Sequence, residues 1–227
     1  MHDTALTLGQ MFFETYVKSP ARILDVGSQD VNGSLRRFAP AGSSYVGADL
    51  AAGAGVDVVL RDPTAMPFEA GAFDVVVSTS CFEHDPMFWL TFTEILRVTR
   101  EGAHIYINAP SNGNYHRFPA DNWRFYPDAG LALCQWGRRQ GYNVSLVESF
   151  IAPRAQDIWN DCVMVFTRAT ALASGARLSE RVRGAMNVRS SAAPETIGNH
   201  TRQTEDQRLL ETVLRTLQAT KAAAPQS

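Results

Sequence analysis

The sequence predicts an α/β fold: a mostly parallel sheet with helices on both faces, plus a helical C-terminal tail. Strand-like and helix-like segments alternate from residue 21 to residue 167, the pattern of βα units stacking into a parallel sheet. The stretch "FDVVVSTS", 73–80, is a continuous apolar and β-branched run, as expected of a strand buried on both faces. Acids follow three successive strands, at the end of such a sheet where ligands bind.

The elements follow in order. Residues 5–17 form a helix with Leu8, Met11, Phe12 and Tyr16 on one face, stopped by Pro20. Residues 23–26 are a strand, 33–38 a short helix, and 45–48 and 56–60 two further strands. Residues 86–98 are helical, with Pro86 in the first turn. "HIYINAP" is a strand closed by Pro110. Residues 127–140 form a helix that Gly141 can cap. Residues 143–147 and 162–167 are the last two strands. Near Arg168 the composition turns to Ala, Ser and Arg with no strand signal, and 174–199 reads as weakly structured. Residues 205–216 then carry the helical stripe Leu209, Leu210, Val213, Leu214, Leu217. Three segments result: an N-terminal helix (1–20), an α/β domain (21–168), and a partly flexible helical tail (169–227). The tail is expected to be dispensable for folding, its stripe packing on the domain, joining two copies as a homodimer, or serving as a lid.

Bulk properties narrow the function. The 227 residues carry a net charge of −2, so no nucleic-acid partner is expected. No apolar run approaches the ~20 residues that span a bilayer, and "MHDTALTLGQ" lacks a signal peptide's basic start and apolar core. Cys81, Cys134 and Cys162 are odd in number and without zinc or redox spacing, which points to reduced thiols in the cytoplasm. No metal cluster is expected.

Asp25 and Gly27 end the first strand, where a cofactor loop belongs. A dinucleotide fingerprint needs G-x-G-x-x-G so that backbone can close on a pyrophosphate. Here the register reads Gly27, Gln29, Asn32, and Asp25 and Asp30 would face the phosphates. A cofactor with a positive centre and no phosphate suits the loop better, and S-adenosylmethionine is one. Asp25 would hold its ammonium directly or through water, and Gly27 would let backbone approach the methionine part with Ser28 beside it. Asp49, after the second strand, would accept both ribose hydroxyls. Asp62, after the third, would accept from the adenine amino group. Leu50, Pro63 and Ser80 complete this expected set.

The chain resembles class I S-adenosylmethionine-dependent methyltransferases of the small-molecule and sugar type. The likeness spans about 22–167 and rests on "ILDVGS", "YVGADL", "DPTAMPFEAGAFDVVVSTSCFEHDP", "FTEILRVTREGAHIYINAP" and "CVMVFTRA". It implies a Rossmann-like seven-stranded sheet with the last strand antiparallel. The first loop carries fewer glycines than the family's usual one.

Methyl transfer is an in-line displacement, so its main requirement is alignment of nucleophile, carbon and sulfur. A base is needed only when the acceptor is an alcohol or a protonated amine. Two segments reach the cofactor side. "STSCFEHDP" offers Glu83 and His84, a pair that borders the cofactor pocket in similar enzymes. "APSNGNYHRFPADNWRFYPDAG" sets Tyr115, His116, Phe118, Trp123, Phe125 and Tyr126 among Arg117, Asp121 and Arg124. Aromatic rings beside polar groups suit a polyhydroxylated acceptor. The candidate bases are His84, His116 and Asp121; Glu83, Tyr115, Trp123 and Arg124 are candidate acceptor contacts. The function expected is O-methylation of a sugar or secondary metabolite in natural-product or glycan biosynthesis. The alternatives are N-methylation of an amino sugar or peptide, and a non-catalytic cofactor-binding scaffold.

Overall fold

The computed structural model of the protein describes residues 3–171 and 175–223. Eight strands form its sheet: β1 (Arg22–Val26), β2 (Ser44–Asp49), β3 (Val58–Val59), β4 (Phe73–Thr79), β5 (Thr99–Pro110), β6 (Ser145–Ile151), β7 (Asp161–Thr167) and β8 (Met186–Arg189). Their order is β3-β2-β1-β4-β5-β7-β6-β8. Pairs from β3 through β5 are parallel. β7 runs antiparallel to both β5 and β6, and β8 antiparallel to β6. The first seven strands thus have the arrangement that the resemblance implies, with the seventh reversed.

Alternate residues of each inner strand serve opposite faces. On one face Ile23, Val75, Val77, Tyr106, Val163 and Val165 pack against Leu8, Phe12 and Phe13 of α1 (Asp3–Tyr16). On the other, Leu24, Val76, Ile105 and Ile107 meet Phe92, Ile95 and Leu96 of α2 (Phe88–Val98) and Leu133 and Cys134 of α3 (Asp128–Arg139). Only a four-residue 3-10 turn, Leu35–Phe38, joins β1 to β2, its start capped by the Ser34 hydroxyl.

Two boundaries move for local reasons. β3 is two residues rather than the expected 56–60, because Asp57 turns back onto β2: its N–H donates to the Gly47 carbonyl at 2.8 Å, and its Oδ2 accepts the Gly47 N–H at 2.7 Å. α2 begins at Phe88, two residues late, because the Asp85 carboxylate takes the Met87 N–H at 2.8 Å and holds a turn there.

The tail differs more. It supplies β8, and it supplies α4 (Leu178–Arg181), whose Leu178 is fully buried. Glu148, buried in β6, accepts from the Leu178 N–H (2.7 Å), the Ser179 N–H (2.9 Å) and the Tyr16 hydroxyl. A boundary at 168 therefore cuts through one sheet and one core. "MNVR" gave no strand signal because β8 is a short edge strand with an irregular register against β6. The stripe expected at 205–216 lies on α5 (Glu205–Ala223), where Leu209, Leu210, Val213, Leu214 and Leu217 are all exposed.

Candidate active site

The sheet order reverses at β1, which lies between β2 and β4, so the C-terminal tips of β1, β2, β4 and β5 lie at the crevice where sheets of this order bind ligands. Gly27 sits at φ +80°, and a Cβ there would lie 2.6 Å from Cβ of Cys81 at the tip of β4. The glycine is required by that neighbour as well as by any cofactor. The Gly27 and Ser28 N–H groups donate to the Ala48 carbonyl. Above them the segment 53–55 folds over the loop, the Asp30 N–H donating to the Ala54 carbonyl at 2.8 Å. A Cβ at Gly47 would lie 2.0 Å from the Gly55 carbonyl oxygen, so glycine at 47 is what permits this closure.

The acids sort into three roles. Asp49 ends β2 half-buried, its Oδ2 accepting the Gln29 N–H (3.0 Å) and its Oδ1 the Leu50 N–H (2.7 Å). These bonds fix the carboxylate and leave acceptor capacity on it. Leu50 beside it is 58% exposed, an apolar surface next to the crevice. Asp25 is buried, and the Tyr45 hydroxyl donates to its Oδ2 at 2.7 Å. Burial pushes its pKa up to about 7; the Tyr45 bond and the Arg36 charge pull it down, and the Asp49 charge adds to the rise. Asp25, expected to hold an ammonium directly or through water, thus also accepts from tyrosine. Asp62 does not end a strand. It lies beyond β3 in an exposed turn where its Oδ1 accepts the Thr64 hydroxyl and N–H, bonds that lower its pKa, and half-buried Pro63 follows it.

Beside these acids, buried polar atoms stand without partners among the described residues. They include the hydroxyls of Ser28, Thr79 and Ser80 and the amide oxygen Oδ1 of Asn108. They lie after β1, at the tip of β4, and near the end of β5. Ser80 also holds φ 51°, a conformation costly for a residue with a side chain. Thr79 and Asn108 were not singled out in the sequence, although each is a polar residue closing an apolar run. Buried hydroxyls are almost always hydrogen-bonded in folded proteins, so this group fits a polar ligand at the strand tips.

On the other side of the crevice stand Glu83 and His84. Glu83 is 1% exposed, its Oε2 without a partner and its Oε1 3.6 Å from Nε2 of His84. Burial pushes the Glu83 carboxyl up to about 8, partly offset by Arg124. The Nδ1 of His84 faces the Ala120 carbonyl, so that nitrogen carries the proton and Nε2 is bare; burial lowers the His84 pKa. The aromatic loop is clamped over this segment. The Asn122 and Trp123 N–H groups donate to the Glu83 carbonyl, the Asn122 amide to the His84 carbonyl and the Trp123 indole to the Asp85 carbonyl. Phe125 is core, edge-on to Phe88. Trp123 is braced edge-on against Phe88 and Trp89 and remains 38% exposed. Tyr115 is 75% exposed. His116 meets the His84 ring edge-on, centroids 5.0 Å apart.

Asp121 is unsuited to the role of base. Its carboxylate takes both terminal guanidinium nitrogens of Arg124, and its Oδ2 also takes the His116 N–H. The Arg124 bonds hold its pKa near about 2, far too low to take a proton at neutral pH. It fixes the loop, and Arg124, which also donates to the Asn114 carbonyl, is the other half of that brace. Beside them Gly113, Tyr115, Asp121, Asn122, Trp123 and Arg124 line an open depression of about 300 Å³.

A mostly parallel sheet reversed at its seventh strand is the fold that the sequence resemblance implies. Residues 24–107 match the family model described as a methyltransferase domain. Solved structures share the fold. One is the 1,6-didemethyltoxoflavin-N1-methyltransferase of Burkholderia thailandensis, solved with 1,6-didemethyltoxoflavin and S-adenosylhomocysteine (TM-score 0.60, 15% identity, covering 73% of this chain and 78% of that one). Another is the [4+2]-cyclase SpnF (TM-score 0.54, 13% identity, 73% and 82%). A comparison with curated proteins gives no significant match. Residues 24–107 thus match a methyltransferase domain, and the chain shares its fold with these solved structures. No described helix is long and apolar enough to cross a membrane.

Proposed function

We propose that the protein transfers the methyl group of S-adenosylmethionine to a hydroxyl of a small polyhydroxylated molecule, a sugar or secondary metabolite, in natural-product or glycan biosynthesis. The observation that carries this reading is the set of unpartnered buried hydroxyls of Ser28, Thr79 and Ser80 beside the fixed carboxylate of Asp49. Asp49 would accept from the ribose, Leu50 and Pro63 would flank the adenine with Asp62 at its rim, and Gly27, Ser28 and Ser80 would face the methionine part, with Asp25 behind them. When bound, the cofactor supplies a methyl carbon activated by sulfonium. The chain's own task is to align the acceptor and take its proton. Arg124, Trp123 and Tyr115 border the depression where the acceptor would lie, with Glu83 behind His84. The Nε2 of His84, left bare by the Ala120 bond, and the His116 ring beside it are the groups placed to take that proton.

Free thiols at Cys81, Cys134 and Cys162 suit a reducing compartment such as the cytoplasm. The exposed stripe of α5 is the surface on which a second copy would pack.

Titration calorimetry with S-adenosylhomocysteine tests the reading. Asp49→Asn loses the charged acceptor at two ribose hydroxyls, each such bond worth about 1.5–3 kcal/mol, so affinity should fall at least about tenfold. Unchanged affinity would remove Asp49 from the ribose site, and no binding by the wild-type chain would remove the reading itself.

A further inference from the structure

Glu83, His84 and His116 present their ligating atoms within 4.8 Å of one another. We propose that they form a binding site for one divalent transition-metal ion. The ligand set stands on its own geometry; only the ion's part in the reaction rests on the methyl-transfer reading.

Three observations converge. First, each histidine turns Nδ1 toward a backbone carbonyl: His84 to Ala120 and His116 to Asn114 at 3.2 Å. A carbonyl on one ring nitrogen fixes the tautomer and leaves the other as a bare donor, the arrangement found behind metal-bound histidines. Second, Glu83 is buried, and its Oε2 has no partner in the described structure. A buried carboxyl oxygen without a partner is costly, and an ion between it and the two imidazoles would satisfy it. Third, the supports are stiff. The Glu83 carbonyl holds two N–H groups of the aromatic loop, and the Asp121–Arg124 brace fixes the His116 backbone. Small side-chain rotations about that frame would bring the three donors to coordination distance.

The donor chemistry selects the ion. Two imidazoles and a carboxylate favour zinc and its first-row neighbours over magnesium or calcium, which prefer all-oxygen sites. Three protein ligands leave a position for solvent or substrate, as in catalytic rather than structural zinc sites. A hydroxyl bound there would be made more acidic by the ion, which would take over the task given above to a free histidine. The absence of metal spacing in the sequence is explained by the ligands: two are adjacent and the third is 32 positions on, joined only by the folding of the aromatic loop.

The test uses the full chain, stripped with chelator and dialysed, titrated with Zn(II) by calorimetry and with Co(II) by visible absorption. One ion per chain is expected, with affinity lowered about 100-fold or more in His116→Ala and in Glu83→Gln, since even groups behind metal ligands are worth about 10–100-fold. His116 is half exposed, so its alanine variant should fold; a thermal melt verifies this, and added Zn(II) should raise the wild-type Tm and leave that of the variant unmoved. No stoichiometric binding would overturn the proposal, as would equal binding by wild type and the His84→Ala/His116→Ala double variant, which would mark surface adsorption. S-adenosylhomocysteine titrated into the metal-free wild type reads the cofactor site separately: failure there strikes the methyl-transfer reading and leaves the metal result standing.

Discussion

Position 27 shows how a single residue is fixed from two sides. Its φ of +80° favours glycine, and its missing Cβ would fall 2.6 Å from that of Cys81. Gly27→Ala should therefore destabilise the protein by about 1–3 kcal/mol in denaturant unfolding. The same change in a Cys81→Gly background should cost measurably less, because the steric part is gone; equal costs in both would mean that backbone strain alone fixes the residue. Asp25 yields a pH prediction. Its folded pKa of about 7 lies above the roughly 3.9 of an unfolded aspartate. The folded chain holds the proton more tightly, so the protonated carboxyl's contribution is complete below about pH 4 and is lost as pH rises to about 7. Asp25→Asn keeps an acceptor for the Tyr45 hydroxyl but cannot ionise. Its stability relative to wild type should rise between about pH 4 and about pH 7 and then level off; a flat difference would show that Asp25 ionises in the fold as it does in the unfolded chain.

At the scale of elements, α4 is short but its place in the core is not marginal. Leu178 is fully buried in the cluster with Leu8, Phe12 and Phe150, so Leu178→Ala should cost about 2–5 kcal/mol, measured by chemical denaturation; a cost below about 1 kcal/mol would place α4 outside the cooperative unit. The sequence made β4 legible because every residue of "VVV" is buried by helices on both sides. It made α1 and α2 legible through periodicity. It hid α4 and β8, because four-residue elements have too little length to show a period, and their partners, Glu148 and β6, lie about 30–40 positions away. The candidate site divides the same way. The positions of Asp49 and Ser80 at strand ends could be read because each closes an apolar run. That Asp25 is occupied by Tyr45, Asp121 by Arg124 and Gly27 by Cys81 depended on contacts between neighbouring strands or within an irregular loop, where no periodic rule applies.

For the whole molecule the question is where the folded unit ends. α5 is tied on through its first turn: Arg154 meets both Glu205 and Asp206, and the Asn112 and Asn160 amides donate to Asp206 and Glu205 respectively. Beyond that turn its apolar side chains are 47–61% exposed. Partly exposed ion pairs contribute at most about 1 kcal/mol each, and little apolar surface is buried under the rest. A chain ending at Arg202 keeps all eight strands and α4, and should unfold within about 2 kcal/mol of the full chain. A chain ending at Ala169 loses β8, uncovers the apolar residues packed around Leu178 and removes two N–H donors of Glu148. It should be strongly destabilised or fail to fold. The same pair of chains tests association. If the α5 stripe joins two copies, light scattering should find the full chain dimeric and the chain ending at Arg202 monomeric, with Leu210→Glu and Leu214→Glu together reproducing the monomer without shortening the chain. A monomeric full chain would dismiss the homodimer. A dimer that survives loss of α5 would move the interface to another face. A chain ending at Ala169 that folds as stably as the longer one would return the folded unit's boundary to residue 168.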